Sequence, residues 1–249
     1  MCCFSRHVER VANTSIFARA SKDDRQYLVY SMTLSAKEDL AMILPIPTPK
    51  DAAEDAVKFI SLKDYPAFFK DMAMGFYVPP PTRASFGAPK SAKKDAAPKL
   101  KVVEVGSFEA SFVPAVKDFA RLDERFRLPP GTWDELPAYK DYGFAVFKLK
   151  KGEKEIHPMA FEFPRRNKRS LFFPTVHIHD GKVHKTATFD HALYCQATAG
   201  ENTMSWTESR QPASLFMKPD KAAGLVVKNL HVHRLLISGR KANQDTILA

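Results

Sequence analysis

Short apolar segments separated by tight turns fill the second half of the chain, and this pattern constrains the fold more than any other feature. The segments follow one another from Tyr142 onward, with short turns between them. They cover residues 143–149, 156–163, 170–180, 182–189, 192–197 and 225–237. Short apolar segments bounded by turns are typical of consecutive β-strands. The second half of the chain is therefore predicted to form a large antiparallel sheet.

The first half of the chain adds strands and several short helices to this sheet. Strands are predicted at residues 8–20, 25–34 and 39–46. Helices are predicted at residues 52–60, 65–74 and 114–126. Asp51 precedes the first of these helices, where its carboxylate can accept a hydrogen bond from a backbone N–H group. The complete pattern predicts an α+β fold, that is, a predominantly antiparallel β-sheet with a few short helices.

Proline, alanine and lysine dominate residues 79–101, which carry six basic residues against Asp95 alone. Such a segment buries too little apolar surface to offset the entropy that it loses on ordering. It is predicted to be a basic linker or a long loop. It separates an N-terminal α+β part, residues 1–78, from a β-rich part, residues 102–249. The sequence leaves two arrangements open: two separate domains, or one continuous domain in which the sheets join.

Charge and missing motifs exclude several classes of protein. The 249 residues carry 38 basic and 28 acidic side chains, a net charge of +10. No run approaches the roughly 18 apolar residues of a membrane helix, and charged residues such as Arg6 and Arg10 stand where a signal peptide has its apolar core. Phosphate-binding glycine loops, zinc-protease motifs and the hydrolase nucleophile elbow are absent. We therefore expect a cytoplasmic protein without common nucleotide chemistry.

Three histidines surround a predicted hairpin turn and form the first candidate site. Asp180 and Gly181 lie between two alternating segments, which favours a two-residue turn. In that register His177 faces His184, and the period of two places His179 on the same face of the sheet. Three imidazoles on two adjacent strands are sufficient to bind Zn²⁺ or Cu²⁺. The sequence therefore predicts a transition-metal site at this hairpin.

Two further observations bear on that site. His231 and His233 form a second pair with the same spacing, and they would join the metal site if their strand lay beside the hairpin. Lys182 argues against a metal site, because its positive charge lies on the same predicted face. A polar face opposite a Val and Ile face is also what any half-exposed sheet shows. The alternative is therefore a set of histidines solvated at the surface.

Cys2 is the second candidate site. If Met1 is removed, the α-amino group of Cys2 lies beside its own thiol and can act as a base, which is the arrangement of N-terminal nucleophiles. Cys2 would then be the catalytic residue of an amidohydrolase. Two alternatives remain for the three cysteines, an odd number that argues against a disulfide framework. In the first, they are small buried apolar residues. In the second, Cys2 and Cys3 are soft ligands that bind a metal together with Cys195 and His7.

A basic cluster between two apolar segments is the third candidate. It contains Arg165, Arg166, Lys168 and Arg169. Such a cluster could bind nucleic acid or another anionic partner through its charge. No aromatic residue is interleaved with it, however, and charged turns are commonly only solvated. Nucleic acid is therefore the less favoured interpretation.

The opening residues Met1-Cys2-Cys3-Phe4, followed by two strands and then by Leu44-Pro45-Ile46-Pro47, resemble a family of uncharacterised bacterial proteins. The resemblance covers residues 1 to about 70. It implies an architecture and no activity. Three hypotheses about function therefore stand side by side: a histidine metal site, an N-terminal-cysteine amidohydrolase, and a non-enzymatic module that binds an anionic partner. Whether the chain is an enzyme is left open.

Overall fold

The fold is known from a computed structural model that describes residues 2–77, 103–105, 108–155, 157–197 and 201–249. Within these ranges the chain forms sixteen strands, one α-helix and five short 3₁₀ helices. The strands form three sheets. The predicted linker, residues 79–101, lies outside the described residues.

The first sheet has six strands in the order β12-β1-β4-β8-β7-β6, so β12 and β6 are its edges. Its strands are β1 (Cys2–Phe4), β4 (Leu40–Ile46), β6 (Val103–Val105), β7 (Phe108–Val113), β8 (Gly143–Leu149) and β12 (His177–Ile178). All neighbours are antiparallel except β1 and β12, which are parallel. The first strand of the chain therefore lies inside the sheet, between β4 and β12.

The second sheet follows the order β14-β15-β13-β2-β3-β10-β5, and β9 also pairs with β3. Its strands are β2 (Arg10–Ala20), β3 (Arg25–Ala36), β5 (Lys58–Ile60), β9 (Gly152–Glu155), β10 (Met159–Pro164), β13 (Thr186–Cys195), β14 (Thr207–Glu208) and β15 (His233–Ala242). Parallel pairing occurs here between β2 and β13. Strands from residues 1–78 are thus hydrogen-bonded to strands from residues 102–249 in both sheets.

A small third sheet pairs β11 (Leu171–Phe173) with β16 (Thr246–Leu248). Gln26 ties it to the second sheet, because its buried side-chain amide donates to the carbonyl of Phe172 and accepts from the N–H of the same residue. The helices are α1 (Phe68–Met74) and the 3₁₀ helices Val116–Arg121, Glu124–Phe126, Pro137–Tyr139, Ala213–Leu215 and Pro219–Lys221.

The central core lies between the two large sheets. Alternate residues of β4 and β8, such as Met42 and Phe147, meet alternate residues of β3 and β10, such as Tyr30 and Phe161. The other face of the second sheet packs on α1 through Phe68. The other face of the first sheet is covered by 3₁₀ helices and loops. The central strands of both sheets are therefore covered on both faces, which explains why β4 is apolar throughout rather than alternating.

The predicted α+β class is wrong, because the described chain is mostly β. The predicted helix 52–60 is a series of turns that ends in β5, and Asp51 adopts a left-handed backbone (φ 57°) instead of capping. The predicted helix 114–126 is present only as two 3₁₀ pieces. Only the predicted helix 65–74 is confirmed, as α1. Helix propensity is a weak signal, and pairing of β5 with β10 satisfies the backbone in another way.

Among the described residues, no helix is both long enough and apolar enough to cross a membrane.

Candidate functional site

Three histidines meet where the two large sheets approach each other. His177 is the first residue of β12, His179 follows β12 directly, and His191 lies in β13. The Nε2 atoms of His177 and His191 are 3.2 Å apart. The ring centroids are 4.8 Å apart for this pair and 4.9 Å apart for His177 and His179, and both pairs are stacked. We call these three residues the histidine cluster.

Burial keeps the histidine cluster uncharged at neutral pH. His177 is 9% exposed and His191 only 2%. Because desolvation disfavours the imidazolium form, it lowers the pKa of His177 to about 3, that of His179 to about 4 and that of His191 to about 2. All three side chains therefore present neutral imidazoles near pH 7, and this is the form that binds metal ions.

Several buried polar atoms of this region have no hydrogen-bond partner among the described residues. They are Nε2 of His179, Nδ1 of His191 and Oγ1 of Thr14. The closest acidic group to the His191 ring is Asp190, whose Oδ1 lies 3.9 Å from Nδ1, and its Oδ2 accepts a hydrogen bond from the N–H of Asn13. Buried polar atoms usually find partners, so these three atoms are available to bind a solute or a ligand.

A cleft of about 510 Å³ opens beside the histidine cluster. Its lining includes His177, His179, Thr14 and Asp190. The β2 wall of the cleft is irregular, because the register of β2 against β3 shifts between Ala12 and Ser15. The cleft therefore gives a solute access to two of the three imidazoles.

The structure brings together only part of the predicted metal site. The exposed His184 binds Asp180 (Nε2–Oδ2 3.0 Å) instead of facing His177. His231 lies close to the carbonyl of Ser209 (Nδ1–O 2.7 Å), and His233 lies 3.7 Å from Glu208, in a strand on the far side of β13. His184, His231 and His233 are therefore not part of the histidine cluster.

The predicted hairpin does not form, because β12 pairs with β1 instead. Cys2 lies opposite His177 in the parallel β1–β12 pair, so the segment before Asp180 does not pair with the segment after it. Sequence reasoning placed His191 outside the site, although this residue follows the same alternating pattern in β13. Its proximity to His177 arises from the approach of two sheets, which local periodicity does not encode.

As the side chains stand, the described residues contain no group of three or more His, Cys, Asp or Glu placed to hold a metal ion. The pair formed by His177 and His191 is nevertheless well matched to one metal. Zinc–nitrogen bonds of 2.0–2.1 Å at a tetrahedral centre place two ligand atoms about 3.3 Å apart. Their Nε2 separation is 3.2 Å.

The cysteines occupy separate places. The backbone of Cys2 lies in β1, whereas its side chain and all of Met1 lie outside the described residues, so its role as a nucleophile stays a prediction. Cys3 is buried under the 3₁₀ helices, and Cys195 is buried in the central core, where desolvation raises its thiol pKa. His7 is exposed. The structure does not bring the thiols of Cys3 and Cys195 together with His7.

The basic cluster is largely engaged within the protein. Arg165 donates to the carbonyl of Ser170. Arg166 donates to the carbonyls of Thr48 and Asp141, and Lys168 pairs with Asp24 at 2.6 Å. Arg169 is exposed. Through these contacts Arg165 and Arg166 anchor their loop to the rest of the protein. Binding of nucleic acid by this cluster stays a prediction.

No known protein family and no curated protein matches the chain in sequence. Its fold, however, is similar to that of baculovirus P35, with a TM-score of 0.53 and 14% identity over 97% of this chain and 96% of P35. It is also similar to a mutated baculovirus P35 after caspase cleavage, with a TM-score of 0.50 and 13% identity over 95% of this chain and 99% of that chain. At this identity the likeness shows a shared fold and nothing further.

Proposed function

We propose that this chain is a protein ligand of a caspase-type cysteine peptidase and that the peptidase cleaves it. The observation that carries the proposal is the extent of the structural likeness to P35, which spans 97% of this chain and 96% of the other. One of the similar structures is a P35 that a caspase has cut. The function is thus of the non-enzymatic binding class.

An exposed apolar patch supports this proposal. It consists of Met74, Tyr77, Leu215, Val227 and Leu230, and we call it the α1-end patch. Met74 is 53% exposed, Tyr77 is 51% exposed and Leu215 is 65% exposed. Exposed apolar side chains that cluster at one place are typical of surfaces that bind another protein.

The three segments that contribute the α1-end patch are joined by backbone hydrogen bonds. The carbonyl of Gly75 accepts from the N–H of Arg210 at the end of α1. The N–H of Ser214 donates to the carbonyl of Lys228, and the N–H of Ala213 donates to the carbonyl of Leu230. Tyr77, a member of the patch, directly precedes residues 78–102 in the sequence.

Residues 78–102 contain one acidic residue, Asp95. Caspases are cysteine peptidases that cut after aspartate, so the sequence restricts cleavage within this segment to one bond, Asp95–Ala96. Proline and alanine dominate the surrounding residues, and such sequences are typical of segments that proteases reach. Asp71, close to the same patch, is less suitable because it accepts a hydrogen bond from Tyr65 and pairs with Lys218.

Incubation with a purified caspase is expected to give two fragments, one ending at Asp95 and one beginning at Ala96, and to slow hydrolysis of a fluorogenic peptide by the same enzyme. Asp95→Ala is expected to abolish cleavage, whereas Asp64→Ala, an exposed aspartate in a described loop, should leave it unchanged. Intact-mass analysis and residual peptidase activity are the measurements. A panel of caspases that neither cut the chain nor lose activity in its presence would overturn the proposal.

We propose a second function because of the histidine cluster: binding of Zn²⁺ or Cu²⁺. The specific observation is the Nε2 separation of 3.2 Å between His177 and His191, which suits two ligands on one tetrahedral ion. The unsatisfied Nε2 of His179 supplies a third donor. A set of three neutral imidazoles leaves a fourth position for water or a solute from the cleft.

Tag-free protein purified without chelator is expected to contain close to one equivalent of zinc or copper by elemental analysis. The double variant His177→Gln/His191→Gln should lose that metal, because it removes the pair whose spacing fits the ion. His184→Gln is the matched control, since His184 lies in the same cleft and its ring binds Asp180. If the wild type takes up no more metal than the double variant during dialysis against micromolar Zn²⁺ or Cu²⁺, the second proposal is wrong.

A further inference from the structure

The second sheet ends in a strand edge that the protein covers only in part. β15 pairs with β13 over its full length of ten residues, but on its outer side β14 pairs only with His233 and Arg234. The chain turns away from this edge just before β14, where the N–H of Trp206 donates to the carbonyl of Thr203. Among the residues that the structure describes, no strand pairs with the outer side of residues 235–242, which we call the open edge.

The backbone groups of Leu236 and Ser238 point outward from the open edge. In an antiparallel strand the N–H and C=O groups of successive residues point alternately to its two sides. The carbonyl of Val232, directly before β15, accepts from the N–H of Ser209 on the β14 side, so the even-numbered residues up to Ser238 face the same way. The alternation is interrupted at Gly239, whose backbone is left-handed (φ 76°). Outward N–H and C=O groups at a sheet edge are a template for another strand.

The charge of β15 favours an acidic strand over a second copy of this chain. β15 contains Arg234, Arg240 and Lys241 and no acidic residue. The acidic residues of the two neighbouring strands, Glu208 and Asp190, each have a partner within the protein. A second copy would bring the same basic strand to the edge, and each copy carries a net charge of +10. Like charges on an edge oppose such pairing, whereas an acidic strand would neutralise them.

An exposed apolar side chain lies beside the open edge. Leu236 is 60% exposed. It lies opposite Ala192 in the ladder, on the face of the sheet that packs on α1. Because side chains directly opposite each other share a face, an apolar residue of an added strand would cover Leu236. The open edge therefore suits a strand that combines acidic residues with apolar residues at alternate positions.

We propose that the open edge binds an extended acidic segment of a partner protein as an added strand. The segment runs antiparallel to β15, in line with β14, with its acidic residues opposite Arg240 and Lys241 and an apolar residue over Leu236. Main-chain hydrogen bonds to Leu236 and Ser238 fix the register, and the basic side chains select for acidic residues. The inference goes beyond both proposed functions, because neither a caspase nor a metal ion takes part in this binding.

Fluorescence anisotropy with the full chain and a labelled peptide tests the added strand. The probe is the heptapeptide Glu-Glu-Thr-Val-Thr-Val-Thr, and the control peptide has lysine at both glutamate positions. The acidic peptide is expected to bind about ten-fold more tightly than the basic one at low salt, and the difference should shrink as salt is added. Ser238→Pro removes an outward N–H without removing a donor from the β13 ladder, so it should weaken binding by about ten-fold.

Charge reversal provides a second variant that leaves the backbone unchanged. Arg240→Glu/Lys241→Glu should reverse the preference between the two peptides. Lys50→Glu/Lys140→Glu makes the same change in net charge at exposed positions outside the second sheet and should bind as the wild type does.

Three results would overturn the proposal. The first is equal binding of both peptides by the wild type. The second is unchanged binding of the acidic peptide by a Ser238→Pro variant whose circular dichroism shows that it is folded, or by the charge-reversed variant. The third is a dimer in sedimentation that Ser238→Pro dissociates, because a second copy of the chain would then occupy the open edge.

Discussion

Acidification from pH 6.5 towards pH 4 is expected to unfold this protein, because the histidine cluster is buried in its neutral form. In the unfolded chain each histidine takes up a proton near its ordinary pKa of about 6.5. In the folded chain burial lowers the pKa to about 3 for His177, about 4 for His179 and about 2 for His191. The stability that these side chains contribute is therefore complete above pH 6.5. It is lost progressively as the pH falls from 6.5 towards their pKa values in the folded chain.

The expected size follows from proton linkage. Each histidine that binds a proton only when unfolded lowers the free energy of unfolding by about 1.4 kcal/mol per pH unit, so three give about 4 kcal/mol per unit. A total free energy of unfolding of about 5–15 kcal/mol would be lost within a few pH units. Other groups titrate as well: burial also lowers the pKa of His157 and His233, which adds to the loss, whereas it raises the pKa of the buried Asp245 carboxyl, which opposes the loss.

Urea unfolding measured between pH 7.5 and pH 5 checks this expectation. His179→Gln should reduce the slope by about one third, since it removes one of three titrating groups. His184→Gln should leave the slope unchanged, because His184 is exposed beside Asp180. A free energy of unfolding that stays constant between pH 7 and pH 5 would contradict the buried, neutral state of the cluster.

Phe161→Ala is expected to destabilise the protein by about 3–5 kcal/mol. Phe161 is fully buried in the central core, and its ring packs on Phe59, Phe147 and Phe163 with centroids 5.9–6.1 Å apart. Removal of the ring eliminates contacts from both large sheets and leaves a cavity that β10, paired on both sides, cannot close by moving. Urea unfolding at pH 7.5 measures the loss.

A matched truncation at the surface provides the control. Ile247 in β16 is 60% exposed, so Ile247→Ala should change the free energy of unfolding by less than about 0.5 kcal/mol. If Phe161→Ala costs less than about 1 kcal/mol, the two sheets do not enclose a common close-packed core at this position.

The strands that form clear apolar runs between turns could be predicted from sequence. The predicted strands 25–34, 39–46 and 143–149 correspond to Arg25–Ala36, Leu40–Ile46 and Gly143–Leu149. The predicted strand 225–237 is displaced, because only His233–Ala242 pairs with β13. The pairing of distant segments was not predictable, since both parallel pairs join residues from opposite halves of the chain.

The candidate site was likewise predicted only in part. His177 and His179 were predicted together because they are two residues apart, and the sequence pattern carries that spacing. His191 was missed, and His184 was wrongly paired, because the short β12 prefers the backbone of β1 to the strand across the turn. Which strand becomes the neighbour depends on the packing of two complete sheets, and no short window of sequence contains that information.

The position of β1 and β2 has a consequence for synthesis. Cys2 lies opposite His177 and Thr14 lies opposite His191, so these early residues are made long before their partners. At roughly 5–20 residues per second, the wait on the ribosome is on the order of 10–35 seconds. During that time β2, β3 and β4 lack the later strands of both sheets, such as β8, β10 and β13, so their apolar side chains stay partly exposed. The nascent chain is therefore vulnerable to aggregation, and its production should depend on chaperones more than the size of the protein suggests.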